Sequence, residues 1–287
     1  MQEDIQTRVR LNPLPDRLSR LPWWALVAAL IGVLFTWTLL TDETYFGILS
    51  RVTNGLYITL RVTFIAYLFA LLVGLIVALG RVSTNPVIYQ LSTFYVEIIR
   101  GVPTLVLVLY VAFVAIPLAV EGINALGTQM LKANVLSEIG RSLTALKTGN
   151  VENEFRAIVA LVIAYSAFLA EVFRAGIESV ERGQMEAALA LGMTYWQAMR
   201  HIVLRQAIRH VLPPLGNDFI SMLKDSSLVS VIGVTDLTQW GKLDQARTFK
   251  TLETYNVVAF LYLVMTLLLS MGVKWIERAM SRERQKD

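Results

Sequence analysis

Three pairs of opposite charges interrupt otherwise apolar stretches of this chain: Glu97 with Arg100, Glu171 with Arg174, and Lys224 with Asp225. A charge inside a bilayer costs roughly 2.5–3.5 kcal/mol on insertion scales, so each marks either a structural ion pair or the lining of a polar path. The first two pairs are spaced i,i+3, which puts both partners on one helix face and lets each pair neutralise itself. Lys224 and Asp225 are neighbours that do not face one another on a helix, so they need separate partners. Asp225 lies about 18 Å along a helix from Pro213, near the middle of a bilayer, and midplane binding sites in transporters are often built on interrupted helices. Other chemistry has little to work with. There are no cysteines, only two histidines, no HExxH spacing, no GxxxxGK[ST] and no Ser/Lys or His/Asp/Glu set repeating on one helix face. Metal ligation, thiol chemistry and ATP hydrolysis by this chain are therefore not expected, and no cofactor is implied.

The elements that must hold these charges are long and apolar. Of 287 residues, 55% are hydrophobic and 17% charged, against about 45–50% and 25% in soluble domains. The excess sits in long, mostly uncharged runs that read as transmembrane helices. They cover 22–41, opened by Trp23 and Trp24; about 55–80, carrying Arg61 near its start; 91–120, with Pro103 inside; about 156–176; 213–234; and 254–273. The first run is long for a signal peptide and no small-x-small site follows it before Asp42, so an uncleaved span is the preferred reading. Thr53 or Asn54 is available to cap the second span, and Arg61 to snorkel to its interface. The third run is too long for one straight crossing, so it begins on the surface or kinks at Pro103. Residues 121–155 form a charge-balanced insert with a short helix expected over 138–146.

Basic residues orient the chain. Four arginines precede residue 22, five lie in the 174–210 loop and five Lys or Arg follow Val273, while the loop after the first span holds only Arg51. With six spans, both termini and the 174–210 loop fall in the cytoplasm and the insert falls outside. The net charge of +4 is too small to argue for nucleic acid.

The least membrane-like stretch is the hairpin at 178–211. Glu186 to Leu191 are good helix formers, and Gly192 stands where a helix ends in a left-handed residue. Thr194 with Gln197 makes a Thr-x-x-Gln capping box for a second, basic helix carrying Arg200, Arg205 and Arg209. Pro213-Pro214 then permits a change of direction into the next span. Such a helix suits a membrane surface bearing anionic lipid, or equally a groove on another protein.

Several of these segments resemble a known family. Glu186-Ala187-Ala188, three residues, Gly192, nine residues and Ile202-Val203-Leu204 are similar to the EAA loop of ABC-transporter importer permeases of the type I, MetI-like class. The stretches 95–103, 166–174, 182–184, 212–217 and 224–228 resemble the polar amino-acid (histidine/glutamine) permease subfamily, in the same order. The resemblance covers about 54–278. It implies an all-α polytopic membrane protein of six transmembrane helices, with the type I importer permease fold preceded by one extra helix at 22–41. A cytoplasmic segment, 1–21, and a cytoplasmic tail, 279–287, complete the organisation.

The function the resemblance implies is that of a permease subunit in the bacterial inner membrane, carrying polar amino acids. Its implied partners are ABC ATPase subunits, an extracytoplasmic solute-binding protein, a second permease subunit (identical or paralogous), the amino-acid substrate and membrane lipid. Glu186, Ala187, Ala188, Gly192, Thr194 and Ile202 would form the surface coupled to the ATPase. Lys224, Asp225, Glu97, Arg100 and Glu171 are candidates for the substrate path. Two departures stand out: Arg205 occupies the place after Ile-x-Leu where the family usually has proline, and the 121–155 insert exceeds the minimal connection. Lying outside, that insert is expected to meet the binding protein. The rival reading, a secondary transporter or channel, has no use for the hairpin.

Overall fold

The computed structural model describes residues 23–283, and every regular element among them is helical. The expected segment 1–21 and the last residues of the tail lie outside the described residues. Helix α1 (Trp23–Thr41) is apolar around most of its circumference, with Leu39 buried. Asp42 turns the chain by accepting hydrogen bonds from Thr44 N (2.8 Å) and Tyr45 N (3.1 Å), capping α2 (Glu43–Val52). The long helix α3 (Asn54–Arg81) follows after one residue. Thr53, expected as a side-chain cap, is itself helical and donates its hydroxyl to Ser50 O instead. The α2 backbone already supplies acceptors to this turn, so no side-chain cap is needed.

Two proline sites divide the third apolar run. Asn85 caps α4 (Pro86–Gly101), which ends where Val102 is forced into the extended conformation ahead of Pro103. Helix α5 (Thr104–Tyr110), a π turn (Val111–Ala115) and α6 (Ile116–Lys132) then form one rod. The run is thus a separate surface-packed helix followed by a span, with a full break at Pro103. The rod also corrects the insert's start: 121–132 continues α6, and only 133–152 leaves it. The expected short helix is α7 (Ser137–Thr144), which doubles back on α6 where Gly127 and Gly140 let the backbones touch.

Helix α8 (Asn153–Glu178) packs along α3 and forms the centre of the molecule. Val62, Ala66 and Ala70 meet Ala157, Ala160, Leu161 and Ala164 in one buried cluster. At Gly74 an added Cβ would sit 2.9 Å from the Leu169 Cβ; small residues of this kind let membrane helices approach and gain dispersion energy. The hairpin follows as α9 (Arg182–Ala190), α10 (Tyr195–Ala198), a second π turn (Met199–Val203) and α11 (Leu204–Asp225). Pro213-Pro214 does not redirect the chain, because both residues lie inside α11. Neither proline can donate to the carbonyl four residues earlier, and the helix persists through the two missing bonds.

The α-helical part of the fifth run ends at Asp225. It continues as a 3₁₀ segment (Ser226–Ile232), closed by Gly233 at φ 82°. Helix α12 (Leu237–Thr248) and the last helix, α13 (Thr251–Glu283), complete the chain. That last helix is longer than the expected 254–273 span and runs through the first part of the basic tail. Among the described residues, Glu43–Arg81, Thr104–Lys132, Asn153–Glu178 and Thr251–Arg278 are long and apolar enough to cross a bilayer, and Leu26–Thr41 is a shorter apolar helix.

The extra helix α1 is part of the fold. Phe35 packs edge-on against Tyr45 of α2 (5.7 Å between centroids) and at a tilt against Phe260 of α13 (5.1 Å). Leu39, Ile48, Val52, Leu223, Leu237, Val257, Val258 and Met265 share a second buried cluster. Polar bonds lock the ends of these helices. Asp244 pairs with Arg51 and accepts from the Thr254 hydroxyl at 3.1 Å, while Leu237 N donates to Thr59 Oγ1 at 3.0 Å.

Candidate functional site

Helix α9 of the hairpin ends in a Schellman turn. The N–H of Gly192 donates to Leu189 O (3.0 Å) and that of Met193 to Ala188 O (3.1 Å). The turn requires a left-handed residue, and Gly192 supplies φ 85°. The next helix starts at once: Gln197 N donates to Thr194 Oγ1 (3.3 Å) while Thr194 N donates to Gln197 Oε1 (2.9 Å), the complete capping box. Two turns of opposite chemistry, locked back to back, give the tip a fixed shape.

Of the residues expected here, Glu186, Ala187, Gly192 and Thr194 are exposed, Ala188 is buried and Ile202 is half-buried. The tip also presents apolar side chains that motif spacing did not single out. Leu191 is 85% exposed, Trp196 69% and Tyr195 51%. A concentration of large apolar side chains on a rigid projection is the mark of a surface that another body covers. The other face is anchored: Met199, Val203 and Ala207 pack on Ile177 at the end of α8, with Leu79 of α3 and the following Val82 alongside. The hairpin is thus packed against the ends of α3 and α8. Arg205, in the place of the family's proline, is exposed and lets α11 begin without a break.

The charges near this end of the bundle are joined differently from the spacing argument. Glu171 and Arg174 do pair within α8, and Arg174 also bonds Glu178. Glu97 and Arg100 do not pair with each other. Glu97 reaches Arg81 at 3.9 Å, Arg100 reaches Glu171 at 3.8 Å, and Arg81 bonds Glu171 directly. Three arginines and three glutamates thus form one neutral network across α3, α4 and α8, centred on Glu171. Arg81 is its hidden member, with a side chain 10% exposed. Its position at the end of the second apolar run read as a boundary, and only packing against α4 and α8 gives it partners. Arg61 likewise does more than snorkel, pairing with Glu154 across α3 and α8 over the Tyr57 ring.

Lys224 and Asp225 occupy the last turn of α11 with separate environments, as their adjacency requires. Asp225 is half-buried and accepts from the Tyr165 hydroxyl at 2.8 Å, whereas Lys224 is exposed on the outside of this chain. Two turns earlier on the same face, Asp218 has a buried Oδ2 without a hydrogen-bond partner, and Tyr67 donates to Leu215 O at 2.6 Å nearby. Asp218 and Tyr165 were absent from the sequence-based set; seven-residue spacing from Asp225 is the signal that points to Asp218. No group of three His, Cys, Asp or Glu able to hold a metal occurs among the described residues.

Beside the loop that precedes α12, Asp236 accepts from Gln239 N at 2.8 Å and from the Tyr262 hydroxyl at 3.3 Å. Burial drives its carboxyl up to about 6 despite these donors.

An all-helical bundle with apolar spans, a locked polar hairpin and an interrupted, charge-bearing helix defines a polytopic membrane transport component. Residues 70–282 match the family described as binding-protein-dependent transport system inner membrane component. The probable amino-acid permease protein YxeN of Bacillus subtilis is 39% identical over 229 residues, 80% of this chain and 91% of that one. The glutamine transport system permease protein GlnP of Escherichia coli K12 is 31% identical over 227 residues, 79% of this chain and 91% of that one. Among solved structures, the crystal structure of an amino acid ABC transporter with histidines superposes with a TM-score of 0.65 at 35% identity, covering 84% of this chain and 97% of that one. The inward-facing MetNI methionine ABC transporter shares the fold at TM-score 0.61 and 21% identity, over 83% of this chain and 99% of that one. The chain belongs to the binding-protein-dependent transport family, and its fold is that of an ABC importer permease.

Proposed function

We propose that this permease imports polar amino acids across the bacterial inner membrane and receives its driving stroke through the 178–211 hairpin. The observation that carries the reading is the locked hairpin tip: a Schellman turn and a capping box hold Leu191 and Trp196 outward, while the opposite face is packed on α8. A separate ATPase subunit would grip this tip and hydrolyse the ATP. Glu186, Ala187, Ala188, Gly192, Thr194 and Ile202 make up the coupling surface, to which we add Leu191, Tyr195 and Trp196. Closure of two ATPases on two such tips would rock the α3–α8 pairs of two permease subunits and alternate access between them. Amino-acid cargo is supported by the names of the relatives, which include amino-acid and glutamine permeases.

In this reading α1 and α11 with its 3₁₀ extension also cross the bilayer, giving six spans with both termini cytoplasmic. The domain is 54–278, preceded by the 22–41 helix. The exposed Lys224 and the half-buried Asp225 face the path shared with the second subunit, and the residues 133–152 meet an extracytoplasmic solute-binding protein. Glu97, Arg100 and Glu171 move from the path to the network that braces the hairpin. Proteoliposomes holding the permease, its ATPase and its binding protein should take up labelled glutamine or histidine only with ATP. Uptake by the permease alone would refute the reading in favour of a secondary transporter.

A further inference from the structure

The rod that carries the outer insert has a backbone defect that one arginine repairs. In the π turn between α5 and α6, Ile116 N–H bonds to Val111 O. The Ala112 carbonyl would normally take that N–H; in the π register it would take the nitrogen of residue 117, which is proline and has no hydrogen. The orphaned carbonyl is bonded instead by Arg156 Nη1 at 3.0 Å. The same guanidinium donates Nε to Val151 O at 3.1 Å and Nη2 to Thr148 O. Arg156 is 9% exposed, and these three bonds all go to main-chain carbonyls.

The three acceptors belong to two different bodies. Thr148 and Val151 end the outer insert, whose far edge is held by Asn124 Nδ2 on Leu146 O at 3.1 Å. Ala112 belongs to the π turn, whose buried residues Val111 and Ala112 lie in the cluster that also holds Ile232 and Val234, seven and nine residues beyond Asp225. A π turn leaves a helix one hydrogen-bond step from the α register, which makes it a place where a span can shift. We infer that Arg156 is a positioning residue that relays docking of the binding protein on the insert to the π turn beside the translocation path. This rests on the reading of 133–152 as the docking surface.

The test uses the complete importer in nanodiscs, measuring ATPase rate with and without liganded binding protein, thermal stability and binding-protein affinity. Arg156→Met strands the Ala112 and Val151 carbonyls and lowers stability, while Thr148 O keeps the Val151 N–H at 3.2 Å. Adding Pro117→Ala returns an N–H to the π turn and removes the need for repair there. In the double variant the melting temperature should recover the part of the loss due to Ala112 O, and basal ATPase should stay near wild type. Binding-protein affinity should hold as well, while stimulation stays about fivefold or more below wild type. Arg156→Lys, which keeps the charge but cannot bridge both bodies, should fold and show the same loss of stimulation. Full stimulation in the double variant or in Arg156→Lys overturns the relay, since the arginine would then be structural. Stimulation lost together with binding-protein affinity overturns it too. Cross-linking from wild-type insert positions reports separately on docking: no cross-link refutes the docking reading, whatever the ATPase result.

Discussion

Glu171→Gln tests the charge network most directly. The change keeps the side-chain volume and one acceptor oxygen but removes the charge shared by Arg81, Arg174 and, at 3.8 Å, Arg100. The network goes from three cations and three anions to three and two. Breaking a fully buried pair costs about 3–5 kcal/mol, and a hydrogen bond to a charged group is worth about 1.5–3 kcal/mol. With Arg81 10% exposed and Glu171 28% exposed, the loss should fall below the fully buried case and in the upper part of the second range, about 2–3 kcal/mol. At roughly 2–4 °C per kcal/mol for a chain of this size, that is a drop of about 4–12 °C in a thermal unfolding assay in detergent. Glu97→Gln is the control, because Glu97 is 69% exposed and sits 3.9 Å from Arg81; it should cost well under 1 kcal/mol. The paired change Arg81→Met with Glu171→Met should recover much of the loss, since apolar replacement of a buried pair is often neutral. Equal shifts for Glu97→Gln and Glu171→Gln, or additive losses in the paired variant, would refute the idea that Glu171 is the centre of a coupled network.

Gly192→Ala places a Cβ at φ 85° and should cost about 1 kcal/mol locally; the expected readout is weaker capture of the ATPase subunit with the bundle's melting temperature unchanged. Trp196→Ala should weaken that capture further without affecting folding, measured by co-purification of the ATPase at rising salt. Asp236 binds its proton up to about pH 6 in the folded chain but only to about 3.9 when unfolded. Between those values the folded state holds a proton the unfolded state has lost, so its contribution is full below about pH 4 and lost as pH rises through 6, by at most about 3 kcal/mol. Asp236→Asn keeps an N-cap acceptor and should remove this part of the slope, seen as a flatter melting temperature between pH 4.5 and 7. Tyr165→Phe takes the donor from Asp225; if Asp225 lines the path, uptake should fall several-fold while binding-protein-stimulated ATPase persists, and unaltered uptake would count against that role.

Several features follow from local chemistry and were legible in the residues alone. The uncharged runs specify spans because apolar helices gain by entering a bilayer whatever their neighbours. Gly192, Thr194 and Gln197 specify the hairpin turns because their bonds close within a few residues. Asn85-Pro86 and Val102-Pro103 likewise mark helix boundaries that the backbone itself imposes. Other features depend on which helix lies against which. The i,i+3 spacing suggested that Glu97 and Arg100 neutralise each other, but a closer arginine from α3 and a glutamate from α8 compete and win. Pro213-Pro214 looked like a corner, yet α11 runs through it. Arg81, Asp218 and Arg156 carry no motif, and their meaning comes from partners 90 residues away (Arg81 to Glu171), from a buried oxygen without a donor, or from a carbonyl 44 residues off that a proline left free. Sequence alone therefore determined the apolar helices and the turns of the hairpin, because propensity, hydropathy and capping act over a turn or two. Which charges neutralise one another and which backbone defects are repaired was decided by tertiary packing, since a buried charge or carbonyl takes whatever partner the neighbouring helix brings within reach.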